Sequence, residues 1–330
     1  MTSRWQPTLE STGCNACGSR KGRTLFAHDR HGLGLATDLC LRCGLLYLNP
    51  RPTAAAYADF YEHAYETYFP SRARLIAHQN IPADTALRRI EAYRELLPPG
   101  SRVLELGAGD GAFLRALATL PQVDAAGVEP STLCHRICRE LGGRIIANSL
   151  EDLPRPAAPY THAAAFHVLE HCVNPVETLR ALGAQLAEGG TLFVEVPNLR
   201  GHWRGLGMIH LAHPMMFLPD SLRYVVERAG FAVEKLEELE TPLLECSLRV
   251  VARKQANVSA APVAPDLASL ESLFRQRLRW WRLDRCRYQV QGWFIALKEH
   301  YANHDHRGGR LRRRPSDQSS GRSRARSAGL

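Results

Sequence analysis

The stretch VLELGAGDGAF, residues 103–113, constrains this chain more than any other. An apolar run ends in three alternating glycines, Gly107, Gly109 and Gly111, and a helix-forming run follows. Glycines placed this way let the backbone turn tightly and come close to a ligand, while the first turn of the next helix offers unpaired N–H groups. Such a unit belongs to a parallel sheet covered by helices, and the surrounding sequence keeps that rhythm. Strands are expected at 103–106, 125–129, 144–147, 163–167, 191–196, 232–239 and 247–253, with helices at about 111–119, 131–141, 175–187 and 219–229. The short link between the last two strands makes that pair antiparallel. The fold class is therefore α/β, a doubly wound seven-stranded Rossmann-like sheet with its last strand antiparallel.

A glycine-rich loop alone also suits nicotinamide and flavin enzymes. Two details separate this one. The spacing is GxGxG, and Glu105 sits two positions ahead of the first glycine. A carboxylate there repels a pyrophosphate and attracts an amino group. The second strand ends in GVEPS, which puts Glu129 22 residues after Gly107, where a carboxylate suits a ribose diol.

Taken in order, LELGAGDG, GVEPS, SLEDLP, FHVLEH and LAEGGTLFVEVPN resemble the motifs of class I S-adenosylmethionine-dependent methyltransferases over about residues 100–253. The resemblance implies a methyltransferase with S-adenosyl-L-methionine as cofactor. It implies that Gly107, Gly109 and Gly111 face the methionine part, that Glu105 helps to hold the amino group, and that Glu129 takes the ribose hydroxyls. By the same resemblance Ser149, Leu150 and Glu151 border the adenine, although many relatives carry Asp in place of Ser149, and His167 borders the cofactor.

Near the N-terminus, Cys14-x-x-Cys17 and Cys40-x-x-Cys43 stand 22 residues apart, each followed by a glycine. That is the form of two zinc knuckles, and four thiolates make a closed tetrahedral Zn2+ site that stabilises structure without activating water. The total of nine cysteines is odd, and no apolar leader precedes them, so a disulfide framework is not expected. Short strands at 24–27 and 45–48 would complete a small zinc ribbon. The CxxCG…CxxCGLxYxNPRP ribbon, an aromatic linker and the core together resemble methyltransferases of sugars, polyketides and other secondary metabolites.

Five segments follow: a zinc ribbon (1–52), a helical linker and substrate cap (53–99), the methyltransferase domain (100–254), a C-terminal helical extension (255–301) and a disordered basic tail (302–330). The cap carries Tyr57, Phe60, Tyr61, Tyr65 and Tyr68 near helical spacing, a pattern that suits packing. Eight Arg and two Asp in the tail supply +6 of the net +9, so the folded part is only mildly basic. No run of about 18 apolar residues is present, so no membrane span is expected and a cytoplasmic location is the default.

Methyl transfer from a sulfonium is an in-line displacement that needs an aligned nucleophile and a base for its proton. Such groups belong past the C-terminal ends of the strands. His167-x-x-Glu170-His171 follows the fourth strand, and His210 and His213 lie in the long loop of about 199–218 after the fifth. The catalytic candidates are therefore His167, His171, His210 and His213. Three readings of HxxEH stand side by side: strand-end packing or cofactor contact, a proton acceptor, and a metal site. The last follows from likeness to the ExxEH of small-RNA and quinone-precursor methyltransferases, which holds a divalent ion. His167 in place of the first Glu tilts any ion toward zinc-like metals. The expected function is methyl transfer from S-adenosylmethionine to an O or C centre of a small-molecule acceptor. The alternatives are an RNA or tRNA methyltransferase, to which the basic tail would contribute, and a catalytically silent ribbon scaffold. Oligomeric state is left open by the sequence.

Overall fold

The first fifty residues build around the two cysteine turns. Short strands β1 (Leu9–Glu10), β2 (Gly22–Phe26), β3 (Thr37–Cys40), β4 (Leu46–Leu48) and β5 (Arg51–Pro52) are followed by helices α1 (Ala54–Asp59) and α2 (Ile81–Tyr93). The core then runs β6 (Arg102–Leu106), α3 (Ala112–Leu117), β7 (Asp124–Val128), α4 (Thr132–Glu140), β8 (Ile145–Ala147), β9 (Tyr160–Phe166), α5 (Pro175–Ala184) and β10 (Leu186–Pro197). It closes with β11 (Met215–Met216), α6 (Pro219–Arg228), β12 (Phe231–Leu239) and β13 (Ser247–Lys254). This computed structural model describes residues 7–30, 34–60, 63, 81–153, 156, 158–201, 207–239 and 246–277. All of them belong to the first of two units, Met1–Arg282, and the second, Leu283–Leu330, lies outside the described residues. Outside them too lie Tyr61, Tyr65 and Tyr68 of the cap, the first part of its expected helix (72–80), the Trp-rich part of the C-terminal extension and the basic tail.

The main sheet has seven strands in the order β12-β13-β10-β9-β6-β7-β8. β13 is antiparallel to both neighbours, β10 and β12, while β6, β7, β8, β9 and β10 pair parallel. This is the expected α/β sheet. The chain leaves the centre through β6, β7 and β8, then returns to start β9 and β10 on the other side. The crevice past the ends of β6 and β9 is thus the switch point where open α/β sheets bind ligands.

Both faces are covered. On one, Ala86, Ile90 and Tyr93 of α2 pack with Val103, Phe113, Phe166 and Phe193. On the other, Val176, Leu179 and Leu182 of α5 and Leu222, Val225 and Val226 of α6 pack against β9, β10 and β13. Burying one such Leu or Val is worth about 1.5–3 kcal/mol, so each helix is held by its apolar stripe rather than by propensity. α4 starts at a Ser131 cap, whose hydroxyl accepts the Cys134 N–H at 3.3 Å.

The ribbon contains strands that the sequence reading lacks: β1 and β5, which pair with each other, and β3. β3 (TDLC) carries Asp38 in its middle, which breaks the apolar pattern. The Asp38 carboxylate accepts Thr24 Oγ1 at 2.7 Å and Asn49 Nδ2 at 2.8 Å, so its charge is met inside the sheet. The ribbon sheet is also not self-contained: β11, from the loop after β10, pairs antiparallel with β4 as its outer strand. Tyr57 of α1 and Phe60 just after it are buried with Leu48, Leu211 and Ala212, which agrees with a packing role for the described part of the aromatic stripe. Among the described residues no helix is long and apolar enough to cross a membrane.

Candidate active site

β6 ends at Leu106, and the next five residues turn the chain into α3. Gly107 and Ala108 donate their N–H groups to Val128 O at 2.8 and 3.2 Å, which pins the turn to β7. The three glycines do different things. A Cβ on Gly107 would lie 2.4 Å from Val168 Cγ2, and one on Gly111 would lie 2.3 Å from Cys138 Sγ. Those two positions let protein pack on protein. A Cβ on Gly109 would meet nothing within 4 Å, so the middle glycine faces open space. Its N–H donates to Glu129 Oε2 at 2.9 Å, and Glu129 Oε1 accepts the Ser131 N–H at 3.0 Å. Glu129 at the end of β7 is thereby aimed from below and keeps lone pairs for a diol.

Glu105 is 4% exposed, and its Oε2 has no hydrogen-bond partner among the described residues. Burial pushes its carboxyl up to about 8; Arg89 opposes the rise, while Asp110 and Glu129 add to it. An orphaned carboxyl beside the opening over Gly109 fits the ammonium of an amino-acid ligand, which would supply the missing partner. Ser149, by contrast, is engaged within its own turn: its hydroxyl donates to Asp152 Oδ2 at 2.9 Å and accepts the Asp152 N–H at 3.3 Å. Leu150 packs on the core, and Glu151 is exposed.

His167 closes β9 with a left-handed backbone, φ 56°, and its N–H donates to Glu195 O at 2.8 Å. A non-glycine residue in that region costs about 1–3 kcal/mol and persists only where its surroundings impose it. Its Nδ1 lies 3.4 Å from Glu170 Oε1, and its Nε2 is buried with no partner among the described residues. Glu170 is itself 2% exposed. Burial favours its protonation, but the histidines facing it win and hold the carboxyl down at about 2. His171 Nδ1 donates to Ala212 O at 2.6 Å, and His213 Nδ1 to Met208 O at 3.2 Å. The two rings meet edge to face with centroids 4.8 Å apart. Burial, with His171 beside it, pushes His213 down to about 3, so this imidazole is neutral. His210 is buried, its ring 3.8 Å from that of His213.

The fold thus joins the two histidine groups that the sequence places on separate loops. One ligand atom each from Glu170, His171 and His213 lie within 4.8 Å of one another. His167 is not in that group; its third member, His213, is on the other loop.

A buried ionic network supports this edge of the sheet, and sequence reading passed over it. Glu195 of β10 takes Arg89 Nε at 2.7 Å, Arg249 Nη2 at 2.7 Å and the Tyr93 hydroxyl at 3.3 Å. Burial raises the Glu195 carboxyl, and the two guanidinium groups more than reverse it. Arg89 also stacks over the Phe166 ring at 4.1 Å. The available signal was a lone acid in the apolar run LFVEVP.

Far upstream in the chain, the four cysteines converge. Cys14 and Cys43 Sγ are 3.5 Å apart, as are Cys17 and Cys40, and all four sulfurs lie within 4.8 Å of one another. A tetrahedron of Zn–S bonds of about 2.3 Å has edges of about 3.8 Å, so the donor set fits that ion. Gly18 and Gly44 close the turns at φ 72° and 71°, donating their N–H groups to Cys14 O and Cys40 O.

Comparison with known proteins agrees with this geometry. Residues 76–236 match the family described as methyltransferase domain. A ubiquinone biosynthesis O-methyltransferase of Xanthomonas campestris pv. campestris is 31% identical over 106 residues, 30% of this chain and 44% of that protein. A tRNA U34 carboxymethyltransferase of Pseudomonas aeruginosa is 28% identical over 163 residues, 46% of this chain and 50% of that protein. The chain therefore spans half or less of the length of these two curated relatives. Among solved structures, an S-adenosylmethionine-dependent methyltransferase of Thermotoga maritima aligns at 21% identity with TM-score 0.45, over 58% of this chain and 99% of that one. Residues 76–236 thus match a methyltransferase domain in sequence, and the seven-stranded sheet with its glycine loop has the fold of the class I, S-adenosylmethionine-dependent kind.

Proposed function

We propose that this protein transfers a methyl group from S-adenosylmethionine to an O or C centre of a small molecule such as a sugar, a polyketide or another secondary metabolite. The observation that carries the cofactor half is the unpartnered, buried Glu105 carboxyl beside the open face of Gly109. In this reading Glu105 holds the ammonium, Gly107, Gly109 and Gly111 shape the methionine pocket, and Glu129 takes the ribose hydroxyls. Ser149, Leu150 and Glu151 border the adenine through the turn they form, and His167 Nε2 faces cofactor or acceptor. When bound, the cofactor supplies an electrophilic sulfonium methyl. The chain's part is to orient the acceptor and remove its proton.

For the proton, His171 is the acceptor. Its Nδ1–H is committed to Ala212 O, so Nε2 carries the lone pair, and the ionised Glu170 next to it stabilises the imidazolium that forms. His213, held neutral, lines the same spot, with His210 behind it. The four cysteines hold a structural Zn2+.

A second reading of this cluster has its own observation: both imidazoles anchor Nδ1 on backbone carbonyls, and with Glu170 they offer three ligand atoms within 4.8 Å. Anchored imidazoles of this kind are typical of metal ligands, so a second divalent ion would sit here. For the acceptor, the likeness to tRNA U34 carboxymethyltransferases and the Arg-rich 302–330 segment favour a nucleic acid as the runner-up.

The test has three readouts. Calorimetric titration with S-adenosylmethionine should show one site; no binding at millimolar ligand leaves only the silent-scaffold reading. Labelled methyl donor should mark a component of a metabolite extract and not bulk tRNA; the reverse result moves the function to RNA. Two metal equivalents per chain, one surviving replacement of the cysteines, would select the metal reading over the base.

A further inference from the structure

We propose that the four-cysteine module is a positioning element for the acceptor side of the site, and that Asn15, inside the first cysteine turn, is its positioning residue. His171 and His213 lie on loops that follow different strands, and each loop is tied to the ribbon separately. On the first, Asn15 Nδ2 donates to Val173 O at 2.8 Å and lies 3.4 Å from Asn174 Oδ1, two and three residues past His171. On the second, Met215 and Met216 of β11 pair with Tyr47 and Leu46 of β4. Just before them, Leu48 N–H donates to Pro214 O at 3.0 Å and Arg30 N–H to Ile209 O at 2.8 Å. Arg30 Nη1 adds a bond to Gly207 O at 2.8 Å, and the Tyr57 hydroxyl of α1 one to Leu211 O at 3.3 Å.

The cysteines stand between these two attachments. Cys14 and Cys17 flank Asn15, while Cys40 and Cys43 belong to the turn that leads into β4. Cys14 and Cys43 are buried in the same cluster as Leu169 of the first loop and Met215 of the second. An ion bound to all four thiolates would therefore lock the turn that touches the His171 loop to the strand that carries the His213 loop. The histidine rings would then owe their 4.8 Å spacing to the ribbon as well as to direct contacts such as the His171–Ala212 bond. The Gly107–Gly111 loop packs on Val168 ahead of His171, but it is fixed to β7 and α4 and bonds to neither ribbon attachment, so cofactor affinity should be insensitive to this clamp. The consequence for catalysis rests on the acceptor-side reading of these histidines, but the geometry can be tested without it.

The experiment uses the full zinc-loaded chain with ring-labelled histidine. Nuclear Overhauser contact between the His171 and His213 rings and amide exchange at His213 are measured for wild type, Asn15→Ala and Asn15→Asp. The aspartate is isosteric but has no N–H for Val173 O. Both variants should keep one zinc and unchanged S-adenosylmethionine affinity, lose most of the ring contact, and exchange at least about tenfold faster at His213. Chelating the zinc from wild type should do the same. An unchanged ring contact and exchange rate in zinc-bound Asn15→Ala overturns the proposal, as does an unchanged pair after zinc removal. Zinc loss from Asn15→Ala overturns the separate positioning role. Failure of wild type to bind S-adenosylmethionine strikes the proposed function and leaves this test readable.

Discussion

Glu105→Gln separates ligand recognition from stability. In the ligand-free protein burial pushes the Glu105 carboxyl from 4.5 to about 8. The folded chain thus holds this proton more tightly than the unfolded chain does. Its stability is intact below 4.5, falls as pH rises toward 8, and levels off above that. At 1.36 kcal/mol per pH unit the full gap corresponds to about 5 kcal/mol as an upper bound, with about 3 kcal/mol expressed at pH 7. Glutamine carries no such penalty, so the variant should melt higher above about pH 5 and match wild type in acid. Binding runs the other way. An ammonium needs the carboxylate, so Glu105 must give up its proton when the ligand arrives. A group titrating near 8 is about nine-tenths protonated at pH 7, so close to one proton should leave per S-adenosylmethionine bound. Affinity should then rise about tenfold per pH unit until the ligand's own amino group titrates at about 7.7–8.0. Titration calorimetry in two buffers of different ionisation heat, between about pH 6 and 8, reads both quantities. Glu105→Gln should bind more weakly, release no proton and show a flat profile below about pH 7.5. Wild-type affinity that stays constant over that range, or binding without proton release, refutes the assignment.

Further outcomes are expected for four variants. Glu195→Ala leaves the Arg89 and Arg249 guanidinium groups without their carboxylate and should cost about 3–5 kcal/mol in denaturant unfolding; a loss below about 1 kcal/mol would mean that water takes the place of the carboxylate. Gly109→Ala should cost only about 1–2 kcal/mol, from its φ of 56°, yet weaken S-adenosylmethionine binding severely, because its methyl points into open space. Gly111→Ala should instead lose more stability than Gly109→Ala, because its methyl would sit 2.3 Å from Cys138 Sγ; equal melting points for the two would contradict this division. Cys14→Ser should release the bound zinc and destabilise the N-terminal module, and metal analysis that still finds stoichiometric zinc would refute the four-cysteine site.

Much of the fold was legible because its signals are local. The strand-to-glycine-to-helix turn at 103–113 and the seven apolar runs each depend on residues a few positions apart, and the structure has strands within a few residues of each expected one. The paired cysteine turns were legible for the same reason. β3 was missed because its Asp38 reads as a loop residue until Thr24 and Asn49 are brought to it. The helix expected at about 219–229 is likewise present as α6, with Ser221 inside its first turn, its hydroxyl accepting the Leu218 N–H at 2.9 Å.

The site divides along the same line. From the sequence alone came the sheet, the glycine loop, the placement of Glu105 and Glu129 at strand ends and the convergence of the cysteine pairs, because spacing along one element sets them. Only the tertiary structure decided which histidines meet, that Glu170 is buried and ionised between them, and that the ribbon borrows a strand from the loop after β10. Arg89 finds Glu195 106 positions away, and Asn15 finds Val173 across 158. No periodicity carries such pairings; they follow from strand order and register, which bring side chains from distant loops to one end of the sheet.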